Sequence, residues 1–460
     1  MARGWSRTSI HDKKSQASPG QAPVSAKPRR ALTADLVRVL LFTGVVVAHC
    51  VNYINFTPDV VRPAGLLATL LHLTRYGFVA VTLFVLVLSM RGREMSPTEF
   101  WRRRFGLVVA PYLVWTVVYS FTDHLLIEGD PFPSPGRFAG DMVRTALTGD
   151  AKYQLYFLLI SMQIYLVFPW LARFMKRTSG HPWMVLSAAA VIQLAVFAFY
   201  QYFPEPEGRG WETLFNHMWK LLPMYVLFIA IGMLAAQHQD AVSSWLRARA
   251  IPVVIVCALA ATFSIVAFLR ATDPGDVPEP ATSAWNPTLL PWLVGGLILL
   301  WLAAMKWDDM RSAGLPVGER VVSYATIRAF GAFAVHPLVL DLLNYLGFYP
   351  LLYEWFPGSA ILRTLTLVAV VLAISLVFID TVLRTPISRW VVARDRIPLR
   401  RRRRNPATSS TAVVDDAEHV VPAATVPGHG PDEHGEDEGD RPCAGGELHG
   451  QHHHGSATGH

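Results

Sequence analysis

Apolar runs of the length an α-helix needs to cross hydrocarbon, about 20 residues, recur along this chain with polar segments between them. They fall at residues 34–54, 66–90, 106–124, 154–173, 183–203, 216–236, 250–269, 286–305, 322–346 and 359–384. Pro111, Pro169, Pro223 and Pro337 lie inside these runs or near their ends, which membrane helices tolerate when neighbours satisfy the freed carbonyls. The intervening segments alternate in charge. Arg91, Arg93, Arg102, Arg103 and Arg104 follow the second run, Arg173, Lys176 and Arg177 the fourth, Arg247 and Arg249 the sixth, and Lys306, Arg311 and Arg320 the eighth. Segments 125–152 and 204–215 mix acids with arginines. The positive-inside rule sets the basic loops in the cytoplasm. With the basic amino terminus and Arg400 to Arg404 after the last run, both termini belong there too. The expected fold is an all-α integral membrane protein, about ten transmembrane helices in one bundle.

Composition agrees with the pattern. The chain of 460 residues is 52% hydrophobic and 16% charged, with mean hydropathy +0.32, too apolar for an ordinary soluble protein. A net charge of +7 does not imply nucleic acid, because the cations cluster beside the apolar runs and in the tails, as membrane topology requires. Cys50, Cys257 and Cys443 form no disulfide framework and no C-x-x-C metal site. Residues 1–30 are basic, with no apolar h-region, so no signal peptide is expected ahead of the first span; Arg29-Arg30 lacks the cleavage site that a twin-arginine signal would carry. Residues 391–460 turn from Arg-rich to acidic and His-rich, ending HGQHHHGSATGH. Both tails are expected to be disordered around a membrane domain of residues 31–390, with no ligand spacing that specifies a metal.

The first run, ALTADLVRVLLFTGVVVAHCVNYINF, carries Asp35, Arg38 and His49. Ionisable groups at membrane depth are costly and mark candidate functional sites. On a helix Arg38 and His49 are separated by about 16 Å along the axis and about 20° around it, so they share one face. Asp35, three residues before Arg38, is close enough to pair with it. An imidazole is suited to act as a general base near neutral pH. His49 is the candidate base. Arg38 is the candidate anion site, with Arg102, Arg103 and Arg104 as further candidate cations for it. His336 precedes Pro337 mid-run, with Asp341 five residues on; it fits either an acceptor-orienting role or a structural one at a kinked helix. Cys50 adjoins His49, but neighbours on a helix point about 100° apart, which argues against a Cys-His nucleophile pair.

The Asp35, Arg38 and His49 spacing resembles the opening helix of the membrane-bound acyltransferase 3 family. Further similarity runs along the chain in order: VTLFVLVLSMRGRE at the end of the second run, with Ser89 matched and Met90 in place of a Gly; FWRRRFGLVVAPYL, leading to Pro111-Tyr112; AKYQLYF, with Gln154 and Tyr156 where the family carries His and Trp; and His336-Pro337. The resemblance implies an O-acyltransferase of the cell membrane that passes an acetyl or other short acyl group from acyl-CoA to a hydroxyl of a carbohydrate or glycoside. His49, Asp35 and His336 would be catalytic, and Arg38, Arg102, Arg103 and Arg104 donor-binding. Acyl-CoA is then a co-substrate and no cofactor is implied. The rival reading is a transporter or flippase with Arg38, His49 and His336 lining the path; a third is a scaffold acting through its tails.

Overall fold

The computed structural model describes residues 32–397 except 93–94, 129–131 and 316. Residues 1–30 and 398–460 of the two tails expected to be disordered, and Arg93 of the first basic loop, lie outside the described residues.

The order of elements is helical throughout, with no strand among the described residues. It opens with α1 (Leu32–Ile54), then α2 (Val61–Leu71) and α3 (Leu73–Ser89), which break at His72 and together make one crossing. Next come α4 (Pro97–Asp123), continuing into a π turn at His124–Glu128, α5 (Pro135–Thr148), α6 (Tyr156–Arg177) and α7 (Pro182–Tyr202). The short α8 (Arg209–His217) leads through two 3-10 turns, Met218–Lys220 and Leu222–Tyr225, into α9 (Val226–Gln237). The chain continues with α10 (Gln239–Ala248), α11 (Ala250–Arg270), α12 (Glu279–Thr282), α13 (Leu290–Ser312) and α14 (Glu319–Tyr345). It closes with α15 (Phe348–Trp355), α16 (Ala360–Val382) and α17 (Ser388–Val392). Ten helical segments of the described residues are long and apolar enough to cross a membrane, one for each apolar run of the sequence. The chain is an all-α, multi-pass membrane protein.

Helix boundaries follow local chemistry. Ser96 caps α4 by accepting from the Glu99 N–H, with Pro97 at the first helical position. Ser359 caps α16 through the Leu362 N–H. Gly149 ends α5 at φ 75°, a left-handed conformation that glycine adopts without steric cost.

In lipid the hydrophobic effect does not drive helices together, so packing and internal polar partners do. α11 carries Ile251, Ile255, Val256 and Leu259 exposed on its outside, as a lipid-facing helix should. α1 is central: it packs against α2, α3, α13, α14 and α16. One apolar cluster surrounds α1, α4, α14 and α16, and a second joins α3, α6, α7, α9 and α13. The closest approach is between α3 and α9, where a Cβ at Gly232 would stand 2.2 Å from the Ala80 carbonyl oxygen. Gly232→Ala therefore must push two backbones apart, and it is expected to lower stability by about 1–3 kcal/mol, read as an earlier thermal unfolding of the detergent-solubilised protein. An unchanged transition would show that this contact is not close in solution.

Candidate active site

Polar groups that the sequence scatters over three separate runs meet around His49. The ring is half-buried and lies between two others, Tyr153 at 4.1 Å and His336 at 5.4 Å between centroids. Among the described residues neither of its nitrogens has a hydrogen-bond partner, so both remain available to a ligand.

His336 is fully buried, and its chemistry is set by the residue after it. Pro337 lacks an N–H, so the Phe333 carbonyl one turn back loses its helical donor. The His336 Nδ1 supplies the missing hydrogen bond, at 2.9 Å to Phe333 O and 3.1 Å to Ala332 O. A carbonyl only accepts, so Nδ1 carries the proton and Nε2 presents a lone pair. That Nε2 is buried with no hydrogen-bond partner. The His-Pro pair thus makes a fixed acceptor one ring-stack away from His49.

A charged roof closes the end of the bundle nearer His49. Lys152 Nζ lies 2.7 Å from Asp123 Oδ1 and 2.7 Å from Asp341 Oδ2, with side-chain exposures of 6% for the lysine and 2% for Asp341. Tyr53, one turn beyond His49, donates to Asp341 Oδ1 at 3.1 Å. Lys152 also sits over the rings of Tyr119 and Tyr153. The ion pairs bind the turn before α6 to α4 and α14 and so hold Tyr153 against His49. The same turn is anchored at Asp150, which pairs with Lys220 and, at 2.9 Å, with His217. Burial opposes the Asp150 charge, but hydrogen bonds from Lys220, Thr148 and His217 outweigh it and hold the carboxyl below its ordinary range.

At the opposite, basic end, Arg38 Nη1 stands 3.9 Å from Asp35 Oδ1, both side chains 12% exposed. Arg103 pairs with Glu99 at 2.8 Å, Arg104 donates to Ser89 Oγ at 3.0 Å, and Arg102 is exposed. Asp35 therefore belongs to the Arg38 end of α1 and is fourteen residues from His49. Between the ends stands an aromatic layer. Phe42, on the shared face of α1, lies 4.4 Å from Phe78 and 5.6 Å from Phe333; Phe157 lies 5.3 Å from Phe78 and 5.9 Å from Phe333. Arg38 and His49 share a face, as expected, but occupy opposite sides of this layer.

Sequence reasoning did not single out Lys152, Tyr153, Tyr53 or Asp123. Lys152 and Tyr153 were within reach: they open the AKYQLYF stretch, and a lysine directly before an apolar run invites a search for a buried partner.

A helical bundle with an unbonded imidazole at depth, a second histidine held as an acceptor beside it, and a cation near the basic end has the groups that acid-base chemistry in a membrane needs. The acyltransferase domain model of the acyltransferase 3 family matches residues 33–380. The chain belongs to that family and is a membrane acyltransferase. No curated protein and no solved structure matches it.

Removing the lysine from the roof leaves the buried Asp341 without its cation. Lys152→Met is expected to cost about 3–5 kcal/mol, the usual penalty for breaking a buried pair, and Lys152→Met with Asp341→Asn to recover part of it, both read by thermal unfolding. Asp150 gives a pH dependence. Its folded pKa is depressed, so it contributes stability above the ordinary carboxylate range and loses it as pH falls. Amide exchange at residues 149–155, corrected for its intrinsic pH dependence, should rise on acidification in the wild type and already be raised in Asp150→Asn at neutral pH.

Proposed function

We propose that the chain transfers an acetyl or other short acyl group from acyl-CoA to a hydroxyl of a carbohydrate or glycosylated acceptor at the cell membrane, with His49 as the general base. The observation that carries this reading is the unbonded His49 imidazole, packed between Tyr153 and His336 in a membrane acyltransferase. His49 takes the acceptor O–H proton as the oxygen attacks the thioester carbonyl. The C–O bond forms, the C–S bond breaks, and the imidazolium returns the proton to the departing thiolate. His336 is a positioning group: with Nδ1–H tied to the backbone, its Nε2 accepts a hydrogen bond and so orients a hydroxyl. Asp35 acts on the chemistry only through Arg38, whose guanidinium it steadies.

The basic end of the bundle is the cytoplasmic side in this reading, where acyl-CoA is available. Arg38, supported by Arg102, Arg103 and Arg104, takes the donor's phosphates. The depth between Arg38 and His49, about 16 Å, suits the extended pantetheine arm. That arm has to pass the Phe42 layer, and the half-buried Phe42 is the side chain whose rotation opens the way.

Membranes containing the chain and supplied with radiolabelled acetyl-CoA should place label in a glycan. His49→Ala is expected to lose turnover by at least about 100-fold, the scale of general-base catalysis, at unchanged protein level and with CoA binding retained. Arg38→Ala should instead weaken CoA binding. Equal loss of CoA binding in both variants counts against this division of roles, and substrate flux without labelled glycan favours a carrier. Phe42→Trp should slow turnover while leaving CoA binding within about twofold of wild type, a change too small to count as a lost interaction.

A further inference from the structure

Most buried or half-buried cations described here meet a carboxylate or backbone oxygens: Arg38 pairs with Asp35, Lys152 with Asp341, Arg328 with Asp380, and Arg363 donates to the Phe356 and Pro357 carbonyls. Arg75 of α3 does not. Among the described residues no carboxylate pairs with it. Its guanidinium lies 5.0 Å from the ring centroids of both Tyr156 and Trp219, its polar neighbours include the phenols of Tyr156, Tyr225 and Tyr76, and Nη1 is buried with no hydrogen-bond partner. A cation at membrane depth without a counter-ion costs several kcal/mol, so an arrangement of this kind is offset when an anion arrives.

Three observations set Arg75 near His49. α1 and α3 run antiparallel with Gly44 against Thr74 and Gly77 against Leu41, which puts Arg75 level with Thr43, about 9 Å nearer the basic end than His49. Helical side chains slope toward the N-terminus of their own helix, and for α3 that direction leads back toward His49, whose electrostatic neighbours include Arg75. Tyr153, in the turn before α6, and Tyr156, the first residue of α6, are three residues apart, one against His49 and the other against Arg75. Phe78 follows Arg75 by one turn on the same face, so the aromatic layer separates Arg75 from Arg38. From Arg75 a row of rings leads away from the basic end: Tyr156 to Trp219 at 4.6 Å, Trp219 to Trp285 at 6.3 Å, and Trp285 to Tyr200 at 4.7 Å. Aromatic walls with one placed charge are the ordinary lining of a small-molecule site.

We infer that Arg75 binds the anionic group, a carboxylate or phosphate, of the acyl acceptor, which is therefore an acidic or phosphorylated saccharide. This inference takes the acyltransferase reading as its basis and names the acceptor class. The donor's phosphates are held on the far side of the aromatic layer, and its arm is uncharged at this depth, so the acceptor is the source of the anion.

The intact chain in detergent tests this without turnover, through ligand-induced thermal stabilisation. The probes are glucuronate, glucose 1-phosphate, uncharged glucose, and CoA. In the wild type at least one anionic probe should stabilise at lower concentration than glucose. In Arg75→Gln its half-effect concentration should rise about tenfold, equivalent to roughly 1.4 kcal/mol, with CoA protection unchanged, and Arg75→Lys should fall between. Anionic probes no better than glucose in the wild type would overturn the inference, as would an unchanged response in Arg75→Gln. Loss of CoA protection in Arg75→Gln would assign the anion to the donor. If Arg75→Gln does not fold, the wild-type comparison and Arg75→Lys decide. Charge-dependent binding without any acyl transfer from acetyl-CoA would sink the enzymatic reading and leave the anion site standing.

Discussion

The ion pairs of Lys152 with Asp123 and Asp341 hold the site together. A lysine and a carboxylate at 6% and 2% side-chain exposure are stable there only as partners, and their pairing draws together α4, the turn before α6, and α14. The turn brings Tyr153 onto His49, and α14 brings His336 to the other side of the same ring. Hydrocarbon outside the bundle enforces this arrangement, since a polar group that misses its internal partner has no water to fall back on. The same constraint explains the His-Pro pair. Proline frees a carbonyl, the adjacent histidine satisfies it, and the tautomer of the buried ring follows without any third residue.

What the sequence made legible was whatever depends on one helix at a time. Apolar runs located ten spans because span length is set by the bilayer, and each run has its helix in the structure. The shared face of Arg38 and His49 followed from the helical repeat, and the Asp35–Arg38 pair from a spacing of three. His336 stood out because it precedes a proline inside an apolar run. Lys152, Tyr153, Tyr53 and Arg75 are different in kind. Their roles depend on which helices are neighbours and at what depth they meet, information that periodicity does not carry. Arg75 is the clearest example. It lies inside the second run, where an ionisable residue already stands out, but only the register of α1 against α3 shows which groups it stands level with.

The break between α2 and α3 at His72 belongs to this account. His72 Nε2 meets the Thr282 carbonyl at 2.8 Å, and a segment that reads as one run is two helices. Glycine has a complementary part: at Gly44 a Cβ would stand 2.8 Å from the Thr74 side chain, so a glycine lets α1 and α3 come close. Small residues at helix contacts are the usual means of close approach in membranes.

The polar groups are ordered by depth: Asp35 and Arg38 at the basic end, then the Phe42, Phe78, Phe157 and Phe333 layer, then Arg75, His49 and His336, then the Lys152 roof. A layer of packed rings between two cations is an unfavourable place for a permanent aqueous channel, because water there finds no polar partners. It is a favourable place for a long, neutral, flexible arm that fills the space as it passes. In the reaction we propose, a thioester delivered through such a layer meets its base at membrane depth, away from bulk water, which protects it from hydrolysis and strengthens each electrostatic contact there. On the proposed reading the cation on each side of the layer serves a different ligand, and the order of side chains along the bundle becomes the order in which two substrates, arriving from opposite ends, reach one imidazole.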